Sequence, residues 1–262
     1  MFVLANGAFK SGSTWLYNIL SATEEFSKVP AQYGRGTNLD WLKPGRVELF
    51  LESGIYQETN YIAKGHYYNE RVRDRFIAYD GVYVFNIKRD IKDSLVSHYF
   101  HLIRQDKLAE ELASPEKLKK GFSSYYWRLG RYKAQQLVIY HEAWDVNSPR
   151  VYVSSFEHLK NDFENELQNI GRFIGFNFSS KDIAALKEKT NIQAVQKSKG
   201  QDKLPEHKRF FRKGLVGEWQ NYFDNEALAD VEQIQSEGLG KVDMIKYQAI
   251  FKVLDLRRKF AS

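Results

Sequence analysis

Short apolar runs recur along the chain, and each gives way to a segment whose apolar residues return every three or four positions. Phe2-Val-Leu-Ala5 opens the pattern, and Leu16, Ile19 and Leu20 follow it at helical spacing. Val82-Tyr-Val-Phe-Asn-Ile87 is the clearest strand, with Tyr61-Ile-Ala63 and Val151-Tyr-Val153 as shorter ones. Helices are expected over 47–56 (weakly spaced), 70–76, from Asp90 as N-cap through Arg104, 125–144 interrupted at Gly130, 157–174, and 181–189. In 157–174, Leu159, Phe163, Leu167, Ile170 and Phe173 share one face. The C-terminal part also reads as helical, with Asp224 as a cap before Ala227. Residues 106–121 are charged and read as helical, with Pro115 at a boundary, whereas 190–214 are irregular and lysine-rich. Residues 23–46, punctuated by Pro30, Gly34, Gly36, Pro44 and Gly45, are too long for a plain connection and read as a functional loop or a partly mobile one. Strands alternating with helices, without repeat or linker, predict one three-layer α/β domain over 1–262: a central mainly parallel sheet with helices on both faces.

Composition narrows the function classes. The 262 residues suffice for a sizeable core, and 43% apolar with 27% charged is ordinary for a globular chain. No apolar run is long enough to span a membrane, and the first is broken at Lys10 without a basic start, so neither a span nor a signal peptide is expected. Absence of cysteine excludes disulfides, thiolate metal sites and cysteine nucleophiles, and the expected location is the cytoplasm. The net charge of +6 suits an anionic partner. Nucleic acid is not expected, because the aromatic residues are scattered as core rather than grouped as a stacking surface.

The chemistry starts at Gly7-Ala-Phe-Lys-Ser-Gly-Ser-Thr-Trp15. Strand, Gly-rich turn and helix in succession aim a row of backbone N–H groups and the positive helix end at one point, a setting for an anion. Gly7 and Gly12 match the frame of the P-loop, yet Ser13 stands where a nucleotide triphosphatase has lysine, and the lysine lies inside the loop as Lys10. A plain Gly/Ser turn is the bland alternative. Lys10-Ser-Gly-Ser-Thr-Trp15 resembles the 5′-phosphosulfate loop of cytosolic-type sulfotransferases that use 3′-phosphoadenosine 5′-phosphosulfate (PAPS), which reads Lys-Ser-Gly-Thr/Ser-Thr-Trp.

Two further stretches extend the resemblance. Arg89 stands where a strand hands over to a helix, with Ser97 eight residues on and roughly the same side; an Arg fork plus a hydroxyl suits a second phosphate. An ion pair of Arg89 with Asp93 is the ordinary alternative. The spacing resembles the family's 3′-phosphate site. Phe210-Phe-Arg-Lys-Gly-Leu-Val-Gly-Glu-Trp219 resembles its Arg-Lys-Gly-x-x-Gly-Asp-Trp motif, with Glu218 for the Asp. It ends a run of seven lysines and arginines over 197–213, a type of run that is usually a solvated face. The three motifs fall in the family's order between residue 2 and about 223.

The resemblance implies a P-loop-like phosphosulfate-binding loop. It implies transfer of a sulfonate from PAPS to a hydroxyl or amine of a small-molecule acceptor, without a metal, leaving 3′,5′-diphosphoadenosine. Lys10 would stabilise charge on the oxygen linking phosphate to sulfur, and Ser11, Gly12, Ser13 and Thr14 would cradle the 5′-phosphate. Lys64-Gly-His66 resembles Lys-Thr-His, in which the His is the general base and the Lys lies beside the sulfonate; an ordinary surface His is the alternative. Arg89, Ser97, Phe211, Arg212, Lys213 and Gly214 would hold the 3′-phosphate side, with Trp15, Phe156, Thr190 and Ile192 at the adenine. Besides Glu218 and Gly65, the chain departs from the family pattern at Phe9 for Pro before the lysine, at Phe156 for Tyr, and in Thr190-Asn-Ile192 for Thr-Ser-Phe, where an aliphatic replaces a ring. His98 and His101 read as helix-face residues rather than metal ligands. Tyr33, Trp41 and Tyr125-Tyr-Trp127 would line an acceptor pocket or simply pack in the core. The family's Lys-Thr-Val-Glu dimer motif has no match, leaving oligomeric state open. A P-loop kinase or NTPase, or a non-catalytic diphosphoadenosine binder, are the competing readings.

Overall fold

A computed structural model of the chain describes residues 1–35, 38–105, 121–204 and 209–260. Of the expected features, the charged 106–121 segment (except Gly121), Gly36 and Lys208 lie outside the described residues. The chain clusters into two compact units, one of Met1–Asp90 with Tyr140–Gly200 and one of Ile91–Ile139 with Gln201–Ser262.

The first unit holds a seven-stranded sheet among the described residues, formed by β1 (Phe2–Gly7), β2 (Ser27–Lys28), β3 (Gly34–Arg35), β4 (Asn38–Leu42), β5 (Tyr61–Gly65), β6 (Val82–Lys88) and β7 (Val151–Ser155). The order is β3-β4-β5-β1-β6-β7, with β2 also pairing β5, and every pairing except β3–β4 is parallel. The mainly parallel sheet expected from the alternation is present. All six residues of β1 are buried, as a central parallel strand covered on both faces requires.

Alternation along β1 assigns the faces. Val3 and Ala5 share a core with Leu16, Ile19 and Leu20 of α1 (Ser13–Ser21) and with Leu167 and Ile170 of the helix Phe163–Ile174. Phe2, pointing the other way, packs edge-on against Phe50 of α2 (Val47–Ser53) and near Phe76 of α3 (Glu70–Ile77), with ring centroids at 4.7 and 6.4 Å. Each fully buried Leu or Ile here contributes about 1.5–3 kcal/mol relative to exposure.

Three departures have local causes. The expected helix over 157–174 is two helices, Phe156–Asn161 and Phe163–Ile174, because Asp162 leaves helical geometry at φ −139°. The irregular lysine-rich stretch contains a helix, Ile192–Ser198, started by Asn191, whose side chain accepts from Ala194 N at 2.8 Å. The turn-rich 23–46 segment contributes β2, β3 and β4 to the sheet.

The second unit is helical among its described residues. It contains α4 (Ile91–Gln105), the short helix Phe122–Tyr125, most of the helix Arg131–Trp144, and the helices Asn225–Glu237 and Lys241–Phe260. The helix expected over 125–144 with an interruption at Gly130 is present as a π turn over Tyr126–Gly130 followed by the helix Arg131–Trp144, and Gly130 lies against the rings of Tyr125 and Tyr126. Asp224 caps its helix as expected, accepting from Ala227 N at 2.8 Å.

Candidate active site

β1 lies between β5 and β6 although these strands follow it in the chain, and in open parallel sheets such a reversal of strand order marks the carboxyl ends as the place for a ligand. The loop after β1, His66 after β5, Arg89 after β6 and Phe156 after β7 all belong to that edge. The loop closes tightly. A Cβ on Gly7 would lie 2.4 Å from Ser11 Oγ and 2.8 Å from Ser13 Cβ, and Gly12 has φ +104°. Glycine is therefore required at both ends of the turn. Ser11 Oγ donates to Ala8 O at 2.9 Å, and Gly12 O receives the first helical bonds, from Trp15 N and Leu16 N. No acidic residue occupies the first turn of α1, leaving its positive end uncompensated. Lys10 has φ +61°, a left-handed conformation uncommon for a side-chain-bearing residue. A glycine turn at an uncompensated helix N-terminus, with a lysine among its residues, suits a phosphate or sulfonate.

His66 is tied to the same loop, since its Nδ1 meets Gly7 O. A carbonyl only accepts, so Nδ1 carries the proton and Nε2 presents its lone pair. The ring is exposed yet ringed by protein. Desolvation pushes its pKa down to about 4; the bond to Gly7 opposes this, while the charges of Lys64, Lys10 and Arg35 add to it. The downward direction keeps the imidazole neutral at pH 7 and extends that neutral form into mildly acidic solution. Behind it, Asn6 uses one side chain as an extra rung. Its Oδ1 accepts from Tyr67 N at 3.0 Å, while its Nδ2 donates to Tyr140 Oη at 2.9 Å and Asn86 Oδ1 at 3.1 Å and reaches toward Tyr67 O at 3.4 Å. Gly65 stands in the family's threonine position because the Tyr67 ring fills the space a Cβ would need, 2.4 Å away.

Lys64 is only 7% exposed. Its ammonium faces the rings of Tyr17 and Trp41 at 5.1 and 5.2 Å and Asp40 Oδ2 at 3.7 Å. Trp41 in turn packs edge-on against His66, centroids 4.8 Å apart. Of the acceptor-lining candidates, Trp41 is thus beside His66, Tyr33 packs on Phe50, and Tyr125 and Tyr126 are fully buried.

Arg89 is brought to the loop. Its Nη1 donates to Lys10 O at 3.3 Å and its guanidinium lies 4.3 Å from the Phe156 ring centroid. Phe156 also meets Trp15 edge-on at 5.5 Å, and Trp15 stacks on Phe163 at 6.2 Å. Thr190 is buried and donates its hydroxyl to Leu186 O at 2.7 Å, and Ile192 begins its helix half-buried.

In the second unit, Ser97 is half-buried on α4. Asp93, the suggested alternative partner of Arg89, accepts from Gly217 N at 2.7 Å and Trp219 N at 3.0 Å and so anchors the third motif. Arg212 lies over the Phe100 ring at 4.2 Å and forms a bidentate pair with buried Glu218. Exposed Lys213 reaches the same carboxylate at 3.5 Å. Phe211 N and Phe210 N both donate to Gln201 Oε1, and Gly214 has φ +61°. His98 Nδ1 pairs with Tyr125 Oη at 2.8 Å and His101 Nδ1 with Arg104 at 3.0 Å. Among the described residues no group of three or more His, Asp or Glu is placed to hold a metal ion.

Asn6 and Asp40 carry no motif, and the sequence alone does not single them out. The one available signal was a polar residue ending an otherwise apolar strand, as Asn6 does.

A family model described as a sulfotransferase domain matches residues 3–243. The chain belongs to the sulfotransferase family. A flavonol sulfotransferase-like protein of Flaveria bidentis is 26% identical over 181 residues, covering 63% of this chain and 55% of its own length. Cytosolic sulfotransferase 5 of Arabidopsis thaliana is 23% identical over 258 residues, covering 88% and 77%. This sulfotransferase chain spans little more than half the length of the first curated relatives it matches. Among solved structures, mouse sulfotransferase SULT7A1 complexed with PAP superposes at TM-score 0.64 and 18% identity over 96% of this chain and 87% of that one. A retinol dehydratase in complex with androsterone and inactive cofactor PAP gives 0.60 and 15%, over 92% and 81%. These likenesses establish the shared α/β fold.

Proposed function

We propose that this chain transfers a sulfonate from PAPS to a hydroxyl of a small-molecule acceptor, acting as one sulfotransferase domain in the cytoplasm. The hydrogen bond between His66 and Gly7 carries this reading, because it ties a neutral base to the first residue of the anion loop. The family match across 3–243 supports a single domain, and the relatives named cytosolic support the location. Flavonol sulfotransferases among the relatives support a small hydroxylated acceptor.

In the proposed reaction the acceptor oxygen attacks sulfur in line as its proton passes to His66 Nε2. The sulfur–oxygen bond to the phosphate breaks, and its electron pair stays on the phosphate oxygen beside Lys10. The loop amides and hydroxyls of Ser11 to Thr14 hold the 5′-phosphate. The Arg89 fork and Ser97, with Phe211, Arg212, Lys213 and Gly214, hold the 3′-phosphate. Trp15, Phe156, Thr190 and Ile192 are assigned to the adenine, where Phe156 supplies a ring without a hydroxyl. The chain's part is positioning and charge neutralisation, as in phosphoryl transfer.

Screening hydroxylated aromatic acceptors with labelled PAPS tests the activity, and labelled product is expected. Calorimetry tests the nucleotide: 3′,5′-diphosphoadenosine is expected to bind tightly without metal. Tight binding of ATP with Mg²⁺ and none of diphosphoadenosine would instead favour a kinase or NTPase. The Arg212→Ala variant is expected to weaken diphosphoadenosine by about 10–100-fold, the loss of charge-assisted hydrogen bonds. It should leave adenosine 5′-phosphosulfate, which has no 3′-phosphate, nearly unaffected, and equal losses for both would refute the assignment.

A further inference from the structure

We propose that Asp40 is a positioning residue for transfer, its carboxylate fixing the ammonium of Lys64 beside His66. This rests on the sulfotransferase reading of Lys64 given above. A lysine this buried loses hydration that must be replaced, and the aromatic faces of Tyr17 and Trp41 replace only part of it. Among the described residues, the carboxylate within ion-pair reach of Lys64 is that of Asp40, at 3.7 Å. Asp40 is itself held. Tyr17 Oη donates to Oδ1 at 2.9 Å and Lys28 Nζ meets the same oxygen at 2.9 Å, which turns Oδ2 toward Lys64. Lys28 is 60% exposed, so its pair with Asp40 is screened and weak, whereas Lys64 is enclosed.

The β4–β5 register explains how the three groups meet. Trp41 pairs with Lys64 across the strands, so Asp40 precedes the aromatic wall and His66 follows the lysine by two residues. The charged and titratable groups around Lys64 are Asp40 on β4, Lys28 on β2, Tyr17 on α1, Lys199 beyond the helix Ile192–Ser198, and His66. Burial lowers the pKa of Lys64, Lys199 and Lys28 lower it further, and Asp40 opposes them. Without the carboxylate the ammonium would both lose its tether and shed its proton at lower pH. A neutral, untethered amine would no longer attract the sulfonate oxygens.

The test compares Asp40→Asn, Asp40→Glu and Lys64→Met in the full chain. In Asp40→Asn, the alkaline limb of kcat/KM is expected to move to lower pH by about one unit or more, the size of a close charge–charge effect. Affinity for diphosphoadenosine, which carries no sulfonate, should stay at the wild-type value, and Asp40→Glu should return the limb toward it. Direct NMR titration of the Lys64 side chain, assigned by its loss in Lys64→Met, should show the same downward shift whether or not an acceptor is known. A Lys64 titration and pH profile unchanged in Asp40→Asn would overturn the proposal. If Lys64→Met transfers sulfonate at the wild-type rate, the reading of Lys64 fails instead, and the NMR shift still decides whether Asp40 governs that lysine.

Discussion

The variant His66→Ala is expected to transfer sulfonate about 10²–10⁴-fold more slowly, the usual contribution of a positioned general base. Its affinity for diphosphoadenosine should be retained. The ring meets the loop at the carbonyl of Gly7, and Trp41 packs edge-on against it. The pH dependence follows from the same geometry. The base works in its neutral form, which prevails above its pKa, and that pKa lies below the ordinary 6.5. The rate should therefore hold steady as pH falls through 6.5 and drop only in more acidic solution. A pH–rate profile with an acid limb at or above 6.5, or an unchanged rate in His66→Ala, would remove His66 from the base's role.

Lys10→Gly is expected to lower kcat by about 10²–10³-fold, comparable with losing one donor of a preorganised charge-stabilising site. Stability should change little. Lys10 adopts a left-handed backbone, so glycine relieves about 1 kcal/mol of local strain while adding a similar amount of unfolded-chain entropy. The chain thus keeps a conformation that glycine would hold with less strain, and a charge delivered into the loop is the return. Thermal melts alongside single-turnover kinetics separate the two effects. A variant with wild-type turnover would show that the ammonium does no chemistry there.

Elements that stand on local chemistry were readable from the residues. β1, the glycine turn and α1 form one continuous signal of apolar run, Gly7 and Gly12, then helical spacing, and β6 and Arg89 form another. β4 was not readable. Asn38-Leu-Asp-Trp-Leu42 has an acidic centre and turn residues on both sides, and it becomes a strand through pairing with β3 and β5. The break at Asp162 was hidden for a different reason: one residue leaving helical geometry barely disturbs an apolar stripe, so periodicity runs straight across it. The motif residues Lys10, Lys64, His66, Arg89 and Arg212 were nameable in advance. The partners Asn6 and Asp40 were not, and Asp93 was readable only as an ion-pair partner for Arg89, because a lone Asn or Asp acquires its meaning only when folding brings a distant lysine or amide to it.

The Asn6 side chain has a consequence for how acceptors are chosen. The backbone N–H and C=O of Tyr67 both lie against that one buried amide, and Trp144 Nε1 donates to the Tyr67 carbonyl at 2.7 Å. The backbone immediately beyond His66 is therefore preorganised before any acceptor arrives, with no ordering left to be driven by binding. An acceptor meets a stiff wall on that side. In the proposed reaction, discrimination between similar hydroxyls would then follow the shape and reach of the molecule that approaches, not an induced movement of His66 toward it.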